Sequence, residues 1–159
     1  MLISPDRWRF NSLINPQFDP ANNPKGNALV SPMYNPQINP ERNPRIGPRF
    51  NHALNPQHNA SLNPHSNPML NLSETQSYSG QCRWSPDGEV LGYIVNTPNK
   101  SVFLLFDLNL QWVAYAADNG HHGYNLFSPE GEWTGYLRKN GAGSLNEFNL
   151  AGDWLGLIQ

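Results

Sequence analysis

Residues 14–71 read INPQFDPA (14–21), NNPKGNAL (22–29), VSPMYNPQ (30–37), INPERNPR (38–45), IGPRFNHA (46–53), LNPQHNAS (54–61), LNPHSNPM (62–69) and LN (70–71). Proline recurs at every eighth residue from 16 to 64, whereas the slot midway between these prolines varies. The four-residue Asn-Pro repeat is therefore half of an eight-residue unit. The first position of the unit is aliphatic in every copy except the second, which has Asn22. A fixed period with one apolar row indicates stacked repeats.

The Asn-Pro pairs predict a succession of tight turns. Proline fixes φ at the value needed in a turn, and the asparagine before it can accept a hydrogen bond from a backbone N–H two residues on. So many prolines exclude an α-helix and remove the donors of an ordinary sheet. We expect the array to form either a narrow solenoid or an extended ribbon lying on another surface.

The apolar row of the array requires a cover. Each octapeptide has one or two apolar side chains, and their burial recovers less free energy than ordering eight residues costs. The row is therefore expected to pack on the C-terminal half, on another copy of the array or on a partner. The alternative is a disordered Asn/Pro-rich spacer, which the strict register argues against.

The second half of the chain carries a different repeat, of about 21 residues. Four copies place two large side chains six residues apart, and turn sequences such as SPDG (85–88) and SPEG (128–131) lie between them. The pattern predicts an all-β domain in which four hairpins form an antiparallel meander of about eight short strands. The paired large residues are Trp84 and Val90, Phe106 and Trp112, Phe127 and Trp133, and Phe148 and Trp154.

These two repeats divide the chain into an N-terminal cap (1–13), the array (14–71), a linker (72–77) and the hairpin domain (78–159). Both faces of the strand predicted at 90–95 are apolar, so a second layer, the array or another copy, is expected to cover the sheet. Gly92, Gly135 and Gly156 recur beside the aromatic residues. We expect them to lie under aromatic rings, where a side chain would collide.

The combination of Asn-Pro-x-x repeats with hairpins that carry Phe, Trp and Gly-Tyr resembles a group of uncharacterised bacterial proteins built in the same way. This resemblance covers nearly the whole chain and implies the two-part repeat architecture, but it implies no activity. The Asn-Pro beat alone also resembles, in composition, the turn-forming repeats of parasite surface antigens.

Charge is unevenly distributed along the sequence. Residues 1–71 have six Lys and Arg against three Asp and Glu, a net charge of +3, and residues 72–159 have four against nine, a net charge of −5. A basic array could pair with an acidic domain within or between chains. Cys82 is the only cysteine, so no intrachain disulfide is expected. With no apolar span and no signal-peptide pattern, we expect a cytoplasmic protein without a membrane span, and export by a route without a signal stays open.

The sequence shows no catalytic motif. His121 and His122 lie in a Gly-rich turn near Asp118, but no third ligand follows at a metal-binding spacing. The acidic residues recur at the hairpin turns, which indicates turn chemistry rather than a catalytic pair. No nucleophile elbow or phosphate-binding loop is present. We therefore predict no cofactor, no metal and no enzymatic activity.

Three hypotheses of function remain. The first is a non-catalytic structural protein whose repeats stack and mediate self-association or partner binding. The second is a carbohydrate-binding module, and the third, nucleic-acid binding through Arg42, Arg45 and Arg49, lacks interleaved aromatic residues. The candidate interaction residues are Trp8, Phe10, Tyr34, Phe50, Leu91, Tyr93, Tyr115 and Tyr136. The candidate platforms for stacking a sugar ring are Trp112, Trp133 and Trp154.

Overall fold

A computed structural model describes residues 15–74 and 78–159 of the chain. The C-terminal half consists of eight antiparallel strands, each paired with the next along the chain, and β1 also pairs with β8. The prediction of an all-β antiparallel meander is confirmed, and its closure into a barrel is a further finding. The strands are β1 (Cys82–Trp84), β2 (Val90–Asn96), β3 (Val102–Asp107), β4 (Trp112–Asp118), β5 (Gly123–Phe127), β6 (Trp133–Lys139), β7 (Leu145–Asn149) and β8 (Trp154–Ile158).

The hairpins β1–β2, β3–β4, β5–β6 and β7–β8 each have a β-bulge at the same place, next to the turn. Between β3 and β4, for example, Leu105 pairs with Ala114 and Phe106 pairs with Trp112, which leaves Val113 without a partner. Leu91, Thr134 and Leu155 are the corresponding extra residues in the other three hairpins. Because a bulge bends its strand and increases the local twist, four equivalent bulges give the sheet the curvature that closes it.

The recurring glycines directly follow the bulged residues on the same strands. A Cβ atom on Gly92 would overlap the carbonyl oxygen of Phe106, and one on Gly156 would overlap that of Trp84. The expectation that these glycines lie under aromatic rings is therefore corrected, because their nearest neighbours are backbone atoms of the adjacent strand. A small residue is required at this position because two neighbouring strands approach closely beside the bulge.

The barrel interior is filled by layers of side chains. One layer, which we call the polar layer, consists of Arg83, Leu105, Leu126 and Glu147, one each from β1, β3, β5 and β7. These residues occupy equivalent register positions beside the four bulges. The two leucines of this layer also belong to the apolar cluster of the interior, which contains Ile94, Phe103, Leu105, Ala116, Leu126, Leu137, Leu145 and Ile158.

The array consists of short 3₁₀ turns linked by asparagine side chains. Asn35 is typical, since its Oδ1 accepts a hydrogen bond from the N–H of Gln37 (3.0 Å) and its Nδ2 donates to the carbonyl of Leu29 (2.8 Å). Asn43, Asn59 and Asn67 donate in the same way to the carbonyl six residues before them. Each of these amides therefore caps its own turn and ties it to the preceding octapeptide. The 3₁₀ turns are Pro16–Phe18, Pro36–Ile38, His52–Leu54, Ala60–Leu62 and Pro68–Leu70.

Burial follows the octapeptide. The prolines at 24, 32, 40, 48, 56 and 64 are all buried, whereas residues 20, 28, 36, 44, 52, 60 and 68, midway between them, are all exposed. Position one of the octapeptide is also buried in the units that begin at 30, 38, 46, 54 and 62. One proline slot is therefore constant because it packs inside, and the other varies because it faces solvent.

The array lies on the outer surface of the barrel. Ile46, Leu54 and Leu62 belong to one buried cluster with outward-facing side chains of the strands, among them Tyr93 and Tyr115. We call this the outer cluster. The second layer that the two-sided sheet requires is therefore supplied by the array of the same chain. Polar contacts also join the array to the barrel. They are Asn15 Nδ2 to Gly152 O (3.1 Å), Arg138 to Asp19 (3.0 Å), Asn125 Nδ2 to Val30 O (3.2 Å) and Asn99 Nδ2 to Arg45 O (2.9 Å).

Burial of the tyrosines predicts an alkaline unfolding transition. Burial raises the pKa of Tyr78 and of Tyr136 to about 12, and it also raises the pKa of Tyr93 and Tyr115. Since these folded-state values exceed the unfolded value of about 10, the tyrosines contribute stability that is complete below pH 10. That stability should be lost as the pH rises through 12. Apart from the contribution of Tyr34, which is 69% exposed, the ultraviolet absorbance of phenolate, recorded with circular dichroism, should rise only as the fold is lost. Ionisation of these four tyrosines in the folded state would contradict the packing.

Within 15–74 and 78–159 the structure contains no helix of the length and apolarity needed to cross a membrane.

Candidate functional site

A groove lies where the array passes the turn between β3 and β4. It has two adjoining lobes of about 490 and 260 Å³, which share Gln57, Trp112, Pro129 and Glu130. One wall comes from the array and the other from the barrel, so the groove exists only because the two halves pack together. The further lining residues are Arg49, Asn55 and His58 in the larger lobe, and Pro56, Asn63, His65, Phe106, Leu110 and Gln111 in the smaller.

Trp112 is held rigidly at the floor of this groove. Its indole Nε1 donates to the carbonyl of Ala114 (2.8 Å), and its ring contacts that of Tyr115, with 6.4 Å between centroids. The side chain packs against the outer cluster and is half-buried. Trp133 makes the matching bond to Gly135 O (2.9 Å), yet neither Trp133 nor Trp154 lines the groove. The structure therefore brings one of the three candidate stacking platforms to a concave site.

The array wall of the groove is also fixed in place. Buried Asn55 accepts from the N–H of Gln57 (2.8 Å) and donates to the carbonyl of Pro48 (3.2 Å). The imidazole of His58 stacks on that of His52, with 4.0 Å between ring centroids. Sequence reasoning missed the groove-lining role of Gln57 and His58, because the groove depends on which octapeptide crosses which hairpin.

A second pocket, of about 230 Å³, opens at the bulge end of the barrel over the polar layer. Glu147, whose side chain is 4% exposed, accepts two hydrogen bonds from Arg83, at 2.8 Å from Nε and 2.6 Å from Nη2. Burial alone would lower the pKa of Arg83, but the hydrogen bonds and charge of Glu147 raise it. The bulged residues Val113, Thr134 and Leu155 form part of the pocket wall.

The two ends of the barrel differ in charge. The turns at the bulge end, residues 85–89, 107–111, 128–132 and 149–153, carry six acidic residues and no Lys or Arg: Asp87, Glu89, Asp107, Glu130, Glu132 and Asp153. The opposite end carries Lys100 and Lys139 against Asp118, and Arg45 lies beside it because its carbonyl accepts from Asn99. We call these the acidic end and the basic end.

The candidate interaction residues fall into three groups. Tyr34 and Phe50 are exposed on the array, at 69% and 48%, and Leu91 is half-buried at a bulge. Tyr93, Tyr115 and Tyr136 are at most 3% exposed, so they are not available to a partner of the folded chain. Their rings stack instead on those of Phe106, Phe127 and Phe148. Trp8 and Phe10 lie outside the described residues.

The remaining sequence candidates are the His121–His122 turn, Cys82 and three arginines of the array. Residues 15–74 and 78–159 contain no cluster of three or more His, Cys, Asp or Glu that could hold a metal ion. His122 lies in the turn after β4 with a φ of 62°, and Cys82 is a half-buried free thiol on β1. Arg42, Arg45 and Arg49 are exposed, but Arg49 forms an ion pair with Glu41 (3.3 Å).

Compared with protein-family models, with curated proteins and with solved structures, the chain gives no match. Functional inference therefore depends on the chemistry of the groove, the pocket and the two barrel ends.

Proposed function

We propose that the chain is a non-catalytic structural protein whose copies associate end to end, with the acidic end of one barrel on the basic end of the next. The opposite charges of the two ends are the observation that carries this proposal. Complementary potentials steer association and fix orientation. A head-to-tail contact of this kind generates a ring or an open filament.

Among the described residues, the charged side chains at these two ends form no ion pairs. In the part of the chain that the structure describes, the ion pairs are Arg49 with Glu41, Arg83 with Glu147 and Arg138 with Asp19. None of them uses an acidic residue of the acidic end, or Lys100 or Lys139. The described pair that joins array to barrel takes its acid from the array, so ion pairs among the described residues do not cancel the net charges of the two halves.

The acidic end also has an apolar centre. Val113 and Leu155 are each 37% exposed around the pocket mouth, and Leu108 in the neighbouring turn is 53% exposed. An apolar centre within a charged rim is the usual anatomy of a protein interface. In this arrangement the array stabilises the side of the barrel. Each octapeptide forms one coil of a narrow solenoid, and the ion pair between Glu41 and Arg49, which are eight residues apart, supports this geometry.

Charge reversal tests the proposal. At low salt, we expect the apparent mass of the wild-type protein, measured by light scattering, to increase with protein concentration. At roughly 1 M salt, where screening extends only about 3 Å, the assemblies should dissociate. Glu89→Lys/Glu132→Lys and Lys100→Glu/Lys139→Glu should each abolish growth. An equimolar mixture of the two variants should stop at a heterodimer, because the intact basic end of one meets the intact acidic end of the other while the two altered ends are both negative and stay unpaired. Negative-stain microscopy should show the assemblies.

The matched control is Lys25→Glu/Arg42→Glu, which makes the same change in net charge as Lys100→Glu/Lys139→Glu at two exposed positions of the array. It should assemble as the wild type does. A wild-type chain that stays monomeric at high concentration and low salt would refute the proposal, and so would equal loss of assembly in the control.

A further inference from the structure

The geometry points to the groove at Trp112 as a binding site for a neutral oligosaccharide. The indole face of Trp112 stacks on one sugar ring, and the side-chain amides of Gln57, Gln111 and Asn63 hydrogen-bond its hydroxyl groups. This function differs from end-to-end association because it needs only one copy of the chain, although Gln111 and Glu130 of the groove belong to turns of the acidic end.

The shape of the groove suits an extended ligand. The larger lobe, about 490 Å³, is within the range of about 300–1,000 Å³ typical of ligand sites. The smaller lobe, about 260 Å³, continues from it past the same indole. Because Trp112 lies where the two lobes meet, one ring can stack there while the neighbouring sugar units extend into the lobes.

The polar groups of the groove match hydroxyl groups better than they match charge. A side-chain amide both donates and accepts, as a sugar hydroxyl does. Arg49 lines the larger lobe but is paired with Glu41, and Glu130 lines both lobes. Arg49, its partner Glu41 and Glu130 together give the groove no net positive charge, which disfavours a phosphate-rich ligand such as nucleic acid. The ligand that remains is polar, uncharged and has an apolar ring face.

The site is organised before any ligand arrives. The indole is anchored through Nε1 to the carbonyl of Ala114, so its face does not have to be ordered on binding. Asn55 fixes the backbone of Gln57 in the same manner. Preorganisation of this kind raises affinity because fewer side chains lose freedom when the complex forms.

The test is a titration with soluble neutral oligosaccharides built from glucose, mannose, galactose, xylose or N-acetylglucosamine. Binding is followed by tryptophan fluorescence and by the indole N–H signals in NMR spectra, with the Trp112 signal assigned from Trp112→Phe. We expect at least one series to shift the Trp112 signal selectively among the five tryptophans. Trp112→Ala should lose binding, and Gln57→Ala should bind roughly three- to tenfold more weakly, as for one lost hydrogen bond.

Gln37→Ala provides the control, because Gln37 is exposed and follows the same Asn-Pro pair as Gln57 but lies outside the groove. It should bind as the wild type does. Trp112→Ala could lose binding because it misfolds. Gln57→Ala changes an exposed side chain of the array, so weaker binding by this variant does not have that explanation. Absence of binding to every series, or equal weakening by Gln37→Ala and Gln57→Ala, would overturn the assignment. The assembly state of each variant, measured in parallel, keeps this outcome separate from that of end-to-end association.

Discussion

Glu147→Leu should destabilise the barrel by about 3–5 kcal/mol, because it leaves Arg83 charged and largely buried without its partner. Glu147 is 3% exposed, and the guanidinium of Arg83 makes both of its described side-chain hydrogen bonds to this carboxylate. A loss of this size is a large part of the 5–15 kcal/mol that ordinarily stabilises a single domain. Urea unfolding followed by circular dichroism measures the change as a lower midpoint with an unchanged slope.

The second half of this experiment replaces both partners. The other members of the polar layer are Leu105 and Leu126, so Arg83→Met/Glu147→Leu converts the layer to apolar side chains throughout. Replacing a buried ion pair with apolar residues of similar volume is often neutral or stabilising. We therefore expect the double variant to recover most of the stability that Glu147→Leu loses. If the double variant were as unstable as the single one, the stability of the barrel would depend on the pair itself.

The hairpins could be predicted from sequence because their signals are local. Ser85-Pro86-Asp87-Gly88 forms a turn in which Gly88 has a φ of 84°, the conformation that glycine adopts without strain. The bond from Gly88 N–H to Ser85 O closes this turn (3.1 Å). The repeated spacing of large residues then gave the number of strands. All of these features lie within about ten residues of one another.

The closure of the barrel and the ion pair could not be predicted in this way. Arg83 and Glu147 are 64 residues apart and carry no pattern that links them, since Leu105 and Leu126 occupy the same repeat position. The pairing of β1 with β8, which closes the barrel, also joins strands from the two ends of the hairpin domain. Such contacts follow from the bulges and the twist of the whole sheet, which the hydrophobic pattern does not encode.

The groove was missed for a similar reason. The recurrence of Trp112, Trp133 and Trp154 suggested three equivalent platforms, but the array passes only the first at this groove. Repeated residues become inequivalent once a second, differently spaced repeat packs over them. The described polar contacts join different octapeptides to different parts of the barrel, for example Asn15 to Gly152 and Val30 to Asn125, so identical barrel positions acquire different neighbours.

Leu54→Ala should destabilise the array and the barrel together, by about 2–5 kcal/mol, as expected for a buried leucine that leaves a cavity. Leu54 is 1% exposed and packs in the outer cluster with residues of the barrel. If the array owes its order to this contact, the amides of both halves should lose hydrogen-exchange protection by the same amount. Exchange measured by mass spectrometry on peptides from each half records this directly.

Leu29→Ala makes the same chemical change at a position of the array that is 59% exposed. It should change the free energy of unfolding by no more than about 0.5 kcal/mol. The contrast between the two variants isolates packing from composition, because both shorten a leucine in an Asn-Pro octapeptide. A disordered array would give a different result: its amides would be unprotected in the wild type, and Leu54→Ala would leave the barrel unchanged. Coupled loss in Leu54→Ala alone would show that the two repeats fold as one unit.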